Sequence, residues 1–254
     1  MLKINKCPLC RKNKELVQSH LISKFVYKII RECQPYEKIN DCSPMIVDSR
    51  LGLLQKSTRQ EKQILLCSAC EELFSEKETA MAKIIRELQR TDVRQKKILA
   101  YQKELCSKLN GQDILYFTDE KVSAIKYFAM LNLFRNIVCE RVPRIVRKEL
   151  IKIRKYLLRE SDYSVPLIIH VNDSDFFAIA TTPFKIDSDN CYHYIFLIPE
   201  FLFHFFFCMP QLNLQFNDIM IMPEHLSSKE EVEIHLRNST KDIRIANNAK
   251  KYIK

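Results

Sequence analysis

Two C-x2-C pairs, Cys7/Cys10 and Cys67/Cys70, constrain this chain more than any other feature of it. Two residues between a pair of cysteines let both sulfurs face one ion, and two such pairs complete a tetrahedral zinc site. Lys3 and Lys6 lead into Cys7 and further charge, with no apolar run. A signal peptide is therefore not expected, and the chain is expected in a reducing, cytoplasmic setting where paired cysteines read as metal ligands before disulfides. The 56 residues between the pairs exceed the loop of a simple finger, so the intervening segment is expected to carry something of its own. A closed site of four thiolates has no open position for chemistry. The expected role of Cys7, Cys10, Cys67 and Cys70 is thus a structural zinc clip. Of the other cysteines, Cys33 and Cys42 are spare ligands, and Cys106, Cys139, Cys191 and Cys208 lie in or beside apolar stretches as small core residues.

The chain has 254 residues and 46% apolar content, enough for a sizeable core. Its two glycines, Gly52 and Gly111, exclude the glycine-rich loops of nucleotide-binding folds. The net charge of +10 is unevenly placed. Residues 1–31 carry eight cations against Glu15 alone, and residues 141–159 carry eight against Glu149 alone. Concentrated positive charge suits a polyphosphate partner, here nucleic acid, and equally suits a solvated basic surface. The candidate nucleic-acid contacts are Lys24, Lys28, Arg144, Arg147, Lys148, Lys152 and Lys155. The longest apolar run, residues 194–210, contains Pro199, Glu200 and His204. It falls short of the roughly 20 clean apolar residues that span a bilayer, so it reads as buried strand and short helix.

Periodicity predicts a short strand over residues 16–22, a helix over 23–33 ended by Pro35, and a long polar connection over 34–62. A helix is expected from Ser68 to Arg90, with Phe74, Met81, Ile85 and Leu88 as its apolar stripe and Ser68 and Glu71 as a capping box. An amphipathic helix over 93–109 ends at Asn110-Gly111, followed by the short strand "DILYF". An apolar helix over 120–141 and a basic helix from Pro143 to Arg159 come next. Then "VPLIIHV", "FFAIATT", "YHYIFLI", "LNLQFNDIMIM" and "VEIHLR" read as strands, and the last dozen residues as a mobile basic tail. Helices first and strands later argue for an α+β fold with a mostly antiparallel sheet. The expected division is residues 1–92 as a zinc-binding module and 93–254 as a helical, then β-rich, domain.

The order C-x2-C, a strand ending in "SHLI", then L-C-x2-C opening a helix resembles the HNH (His-Me finger) endonucleases that carry a treble-clef zinc site. The resemblance covers residues 7–78. It implies that His20 is the general base that activates water. It also implies a divalent ion, held by the residue before the base and by a residue on the final helix. Glu71 stands where that family has histidine or asparagine, and Ser19 where it has aspartate. The asparagine that orients the base has no clear equivalent, and Gln55, Gln60 and Gln63 are the candidates. The chain also resembles uncharacterised bacterial proteins with an S-H-[LI]-I…L-C-x2-C-E-x2-F-S-x2-E pattern, which extends the likeness to about Arg159.

Helical spacing places Glu78 two turns beyond Glu71 on one face, giving two carboxylates that suit a hard ion, magnesium or manganese. Plain alternatives stand beside each of these. Glu71 serves equally as an N-terminal helix charge, and Glu78 as a surface acid. Arg135, within an apolar helix, is expected in an internal ion pair, with Glu78 as a candidate partner, rather than as a phosphate clamp. His170, His193, His204, His225 and His235 show no ligand spacing and are assigned no chemistry. The resulting expectation is metal-dependent cleavage of nucleic acid by an HNH-type endonuclease. The alternative is a non-catalytic zinc-stabilised module that binds nucleic acid or a protein.

Overall fold

A computed structural model describes residues 4–32, 45–48, 53–56, 60–89, 119–140, 145–162, 167–171, 179–188, 191–207 and 220–221. The expected helix 93–109, the strands "DILYF" and "VEIHLR", most of "LNLQFNDIMIM", the C-terminal tail and Arg144 lie outside them, as do Cys33, Cys42, Cys106, Cys208, His225 and His235.

The fold is α+β, with an N-terminal cysteine cluster. A short strand β1 (Ile4–Lys6) pairs antiparallel with β2 (Asn13–His20), and β2 pairs antiparallel with β5 (Lys62–Cys67). The register slips between Val17 and Gln18, leaving Leu65 as the extra residue of a bulge. That bulge explains why Leu65 and Leu66 are buried in succession, where a regular strand would alternate; Cys67, also buried, already stands at the N-cap of the next helix. Between these strands, helix α1 (Lys24–Glu32) buries Val26, Tyr27, Ile29 and Ile30 and turns Lys24, Lys28 and Arg31 to solvent. β5 runs directly into α2 (Ser68–Leu88).

Residues 34–62 are not only a polar connection. They contain an antiparallel hairpin, β3 (Met45–Asp48) and β4 (Leu53–Lys56), whose first strand pairs parallel with β7 (Ile179–Thr181). A four-residue strand offers too few positions for alternation to show in the sequence, and its partner lies far along the chain. A second correction concerns the start of α2. Cys67 occupies the N-cap position with no side-chain cap bond, so Ser68 is already the first helical residue and no capping box forms.

Helix α3 (Asp119–Val138) is buried nearly all round: Ile125, Phe128, Ala129, Met130, Leu131, Leu133 and Phe134 are all shielded. An apolar circumference of this kind marks a central helix. Phe128 meets Phe25 of α1 at 5.4 Å between ring centroids. It also meets Phe203 of the C-terminal sheet at 6.2 Å. Helix α4 (Arg147–Leu157) packs on α3 through Ile153 and Leu157, and the Tyr127 hydroxyl donates to the Leu157 carbonyl at 2.6 Å.

The remaining strands are β6 (Leu167–Val171), β8 (Phe184–Ser188), β9 (Cys191–Ile198), β10 (Phe201–Phe207) and β11 (Met220–Ile221). Their sheet has the order β11-β6-β10-β9-β8, antiparallel except between β11 and β6. The apolar run at 194–207 contains no helix. Pro199 and Glu200, the latter at φ 71°, turn the chain so that Phe201 pairs back onto Ile198. Proline followed by a positive φ is the type II turn pattern. Phe201, Phe203, Phe205 and Phe207 then share one face and are all buried.

A single hydrophobic cluster includes Leu9, Ile30, Leu66, Phe74, Phe128, Leu157 and Phe203. It runs across position 92, where the sequence suggested a boundary. No described helix is long and apolar enough to cross a membrane.

Candidate metal centre and the His20 site

The first cysteine pair sits on a tight knuckle between β1 and β2. The Arg11 amide donates to the Cys7 carbonyl and the Cys7 amide to the Lys12 carbonyl, both at 2.9 Å. Arg11 adopts φ 63°, the left-handed conformation that closes the turn. The second pair comes from the last residue of β5 and the first turn of α2. The four Sγ atoms lie within 4.8 Å of one another. Cys7 and Cys70 sulfurs are 3.9 Å apart, as are those of Cys10 and Cys67. A disulfide would require about 2.05 Å, so these are free thiols arranged around a common centre. Burial, then the bond to Cys67 and the neighbouring sulfurs, pushes the Cys70 thiol well above its ordinary range. A bound cation reverses that balance by neutralising the thiolates. The four cysteines could therefore hold a metal ion, as their spacing predicts.

His20 closes β2, opposite Lys62. Its Nε2 lies 2.8 Å from Gln60 Oε1, so Gln60, one of the candidate glutamines, reaches it, while the Gln55 side chain lies outside the described ones. Two bonds position Gln60: the Leu21 amide donates to the Glu61 carbonyl at 3.1 Å, and the Glu61 amide to the Tyr27 hydroxyl at 3.1 Å. An amide oxygen can only accept, so Nε2 carries the proton and Nδ1 of the neutral ring keeps the lone pair. Burial holds the His20 pKa below the usual imidazole value; Lys62 and Arg135 push the same way, and Gln60 and Glu78 oppose it. Ser19, fully buried, has no hydrogen-bond partner for Oγ among the described residues.

Glu71 and Glu78 do share one face of α2, and that face is turned to α3. Arg135, 1% exposed, donates Nη2 to Glu71 Oε2 at 2.9 Å and Nη1 to Glu78 Oε1. The expected internal ion pair with Glu78 is therefore present, and Glu71 joins it instead of capping its own helix. The guanidinium also stands 5.1 Å from the centroid of the Phe74 ring. Ser23, just beyond His20, donates to Glu78 Oε1 at 2.8 Å. Asn136 donates to the Leu21 carbonyl at 3.3 Å. Consecutive residues of α3 thus grip the turn that follows His20, one directly and one through Glu78. Glu71 Oε1, Arg135 Nε and Asn136 Oδ1 are buried without partners among the described residues.

Of the expected nucleic-acid contacts, Lys24, Lys28, Arg147, Lys148 and Lys155 are exposed, and Lys152 is half-buried. Lys28 lies 3.7 Å from Glu32 and Lys152 2.9 Å from Glu149. Sequence reasoning did not single out Ser23, Asn136 or Arg154, whose Nη1 donates to the Leu9 carbonyl at 3.4 Å. A signal for Asn136 existed: Asn132, Arg135 and Asn136 recur at helical spacing inside an apolar helix, which marks a polar seam. No signal existed for the other two.

No family model, no curated protein and no solved structure matches this chain.

Proposed function

We propose that the chain hydrolyses phosphodiester bonds of nucleic acid, with His20 as general base on a zinc-stapled, HNH-like treble clef. The observation that carries this reading is His20 at the end of β2, held by Gln60 through Nε2 with the Nδ1 lone pair left to accept a proton from water. Its lowered pKa keeps the ring neutral at neutral pH, the form a base requires.

Zinc suits the cysteines. Four sulfurs at about 2.3 Å from one tetrahedral ion stand about 3.8 Å apart, and two of the separations here are 3.9 Å. With four thiolates bound, zinc is structural in this reading. A second, hard divalent ion, magnesium or manganese, would take the carboxylate oxygens of Glu71 and Glu78 that Arg135 leaves, Glu71 Oε1 among them, and would supply positive charge to the leaving oxygen.

One relationship favours a second reading. Arg135 already pairs with both acids, and Ser19 supplies no carboxylate beside His20. A non-catalytic zinc-stabilised module that binds nucleic acid meets that arrangement without a second ion.

The experiment is incubation of the protein with plasmid DNA and with RNA in magnesium, manganese or EDTA, beside His20→Ala with its zinc content verified. Divalent-dependent cleavage that drops at least about 100-fold in His20→Ala supports the catalytic reading. Equal outcomes for the two proteins at equal zinc content overturn it.

A further inference from the structure

We propose that the cysteine knuckle and α4 form one continuous surface for the phosphate backbone of nucleic acid. This rests on the nucleic-acid partner of the reading above and names the face that would engage it.

The joint between the two elements is a specific bond. Leu9 lies between the first two cysteines, and its carbonyl accepts from Arg154 of α4 at 3.4 Å. Leu9 itself is fully buried, so the knuckle is seated on the shared core rather than projecting from it. Arg11 and Lys12 immediately follow the knuckle cysteines and, like Lys14, are exposed. On α4, Ile153 and Leu157 face inward, while Arg147, Lys148 and Lys155 are exposed. Lys148 and Lys155 are seven residues apart, hence on one helix face and about 10 Å apart along the axis. That span matches about three base-pair rises of B-form DNA, at about 3.4 Å each along the duplex axis.

The charge inventory supports the same surface. Residues 4–14 carry four cations and no acid, and residues 147–155 carry five cations and one acid, Glu149, which bonds Lys152. A divalent ion with four thiolates carries a net charge of −2, too little to cancel this excess. Glu76 lies 3.5 Å from Arg159. Helix α1 is the competing basic face, and its cations are more engaged: Lys28 stands by Glu32, and Arg31 donates to the Tyr27 carbonyl of its own helix.

The test is binding of the metal-loaded, full-length protein to a fluorescent 20-base-pair DNA duplex and to an RNA duplex of equal length, in a His20→Ala background. Lys12→Glu/Lys14→Glu and Lys148→Glu/Lys155→Glu are each expected to weaken binding at least about 10-fold. Together they should reduce the slope of log K against log salt by about 0.9 for each lost phosphate contact. Lys83→Glu/Arg86→Glu, exposed cations of α2, should stay within about twofold of the parent. Zinc content and circular dichroism confirm that the variants fold.

The surface is overturned if the knuckle and α4 variants bind as tightly as the parent. It is also overturned if Lys24→Glu/Lys28→Glu is the pair that abolishes binding, or if the parent binds neither duplex, which would direct the basic face to an acidic protein. A protein that binds through this surface yet cleaves nothing defeats the catalytic reading and leaves the surface standing. A protein that cleaves while all four substitutions leave binding unchanged does the reverse.

Discussion

Arg135 of α3 donates to Glu71 of α2 at 2.9 Å, and its other terminal nitrogen reaches Glu78 two turns further along the same helix. One buried guanidinium therefore answers two carboxylates, each less than a quarter exposed, and ties the cysteine-bearing half of the chain to the half that follows. Removing one member of a buried ionic group leaves uncompensated charge, which typically costs about 3–5 kcal/mol. Arg135→Met is expected to lose stability in that range by urea denaturation. Adding Glu71→Gln and Glu78→Gln to it should restore part of the loss. A single variant within about 1 kcal/mol of the parent would show that the clamp carries no such weight.

Metal removal should act on the fold itself. Cys70→Ser is expected to bind well under one equivalent of zinc by elemental analysis, and its melting temperature should fall with that of chelator-treated parent protein. Coupling of this kind follows when the binding free energy of the ion is also folding free energy. Retention of one tightly held equivalent in Cys70→Ser would remove that cysteine from the site.

His20 makes stability depend on pH. Burial chiefly, with Lys62 and Arg135, lowers its folded pKa, so the unfolded chain takes up the proton first. Above the ordinary imidazole value of about 6.5 the ring is neutral in both states and contributes nothing. As pH falls through that value, stability declines until the folded value is passed. An imidazole NMR titration should give a midpoint below about 6.5. Gln60→Ala should lower it further, because the bond to Gln60 raises it. A midpoint at or above the ordinary value would contradict the burial of this ring.

Ser19 presents a buried hydroxyl with no partner among the described residues. Ser19→Ala should therefore be neutral or stabilising, by up to about 1 kcal/mol, since an unmade hydrogen bond is removed. A loss of more than about 1 kcal/mol in thermal or urea unfolding would reveal a bonded water or ion at that hydroxyl.

Phe203 touches Phe128, and Phe128 touches Phe25, so one line of rings joins the C-terminal sheet to α1. Phe203→Ala should cost about 3–5 kcal/mol. It should also shift the unfolding of the cysteine module and of the sheet together, in one transition. Two separated transitions, with only the later segment affected, would support a boundary near residue 92.

The extent to which the fold is legible in the sequence follows the range of the forces involved. Spacing alone placed the four cysteines around one centre, because a C-x2-C pair determines the geometry of its own knuckle. Helical period alone placed Phe74, Met81 and Ile85 inside, and an apolar run with few polar interruptions marked α3 as a mostly apolar helix. Tertiary structure decided the rest. Gln60 reaches His20 because the turn before β5 is held by Leu21 and Tyr27. Glu71 left its expected capping role because Arg135, 64 positions away, offers a charged donor where Ser68 offers no cap. The β3–β4 hairpin meets β7 across more than a hundred residues. Local periodicity reports which side of an element is buried. Which polar group answers which is determined only when distant elements are brought together, because the energy of such a pair exists only at contact distance.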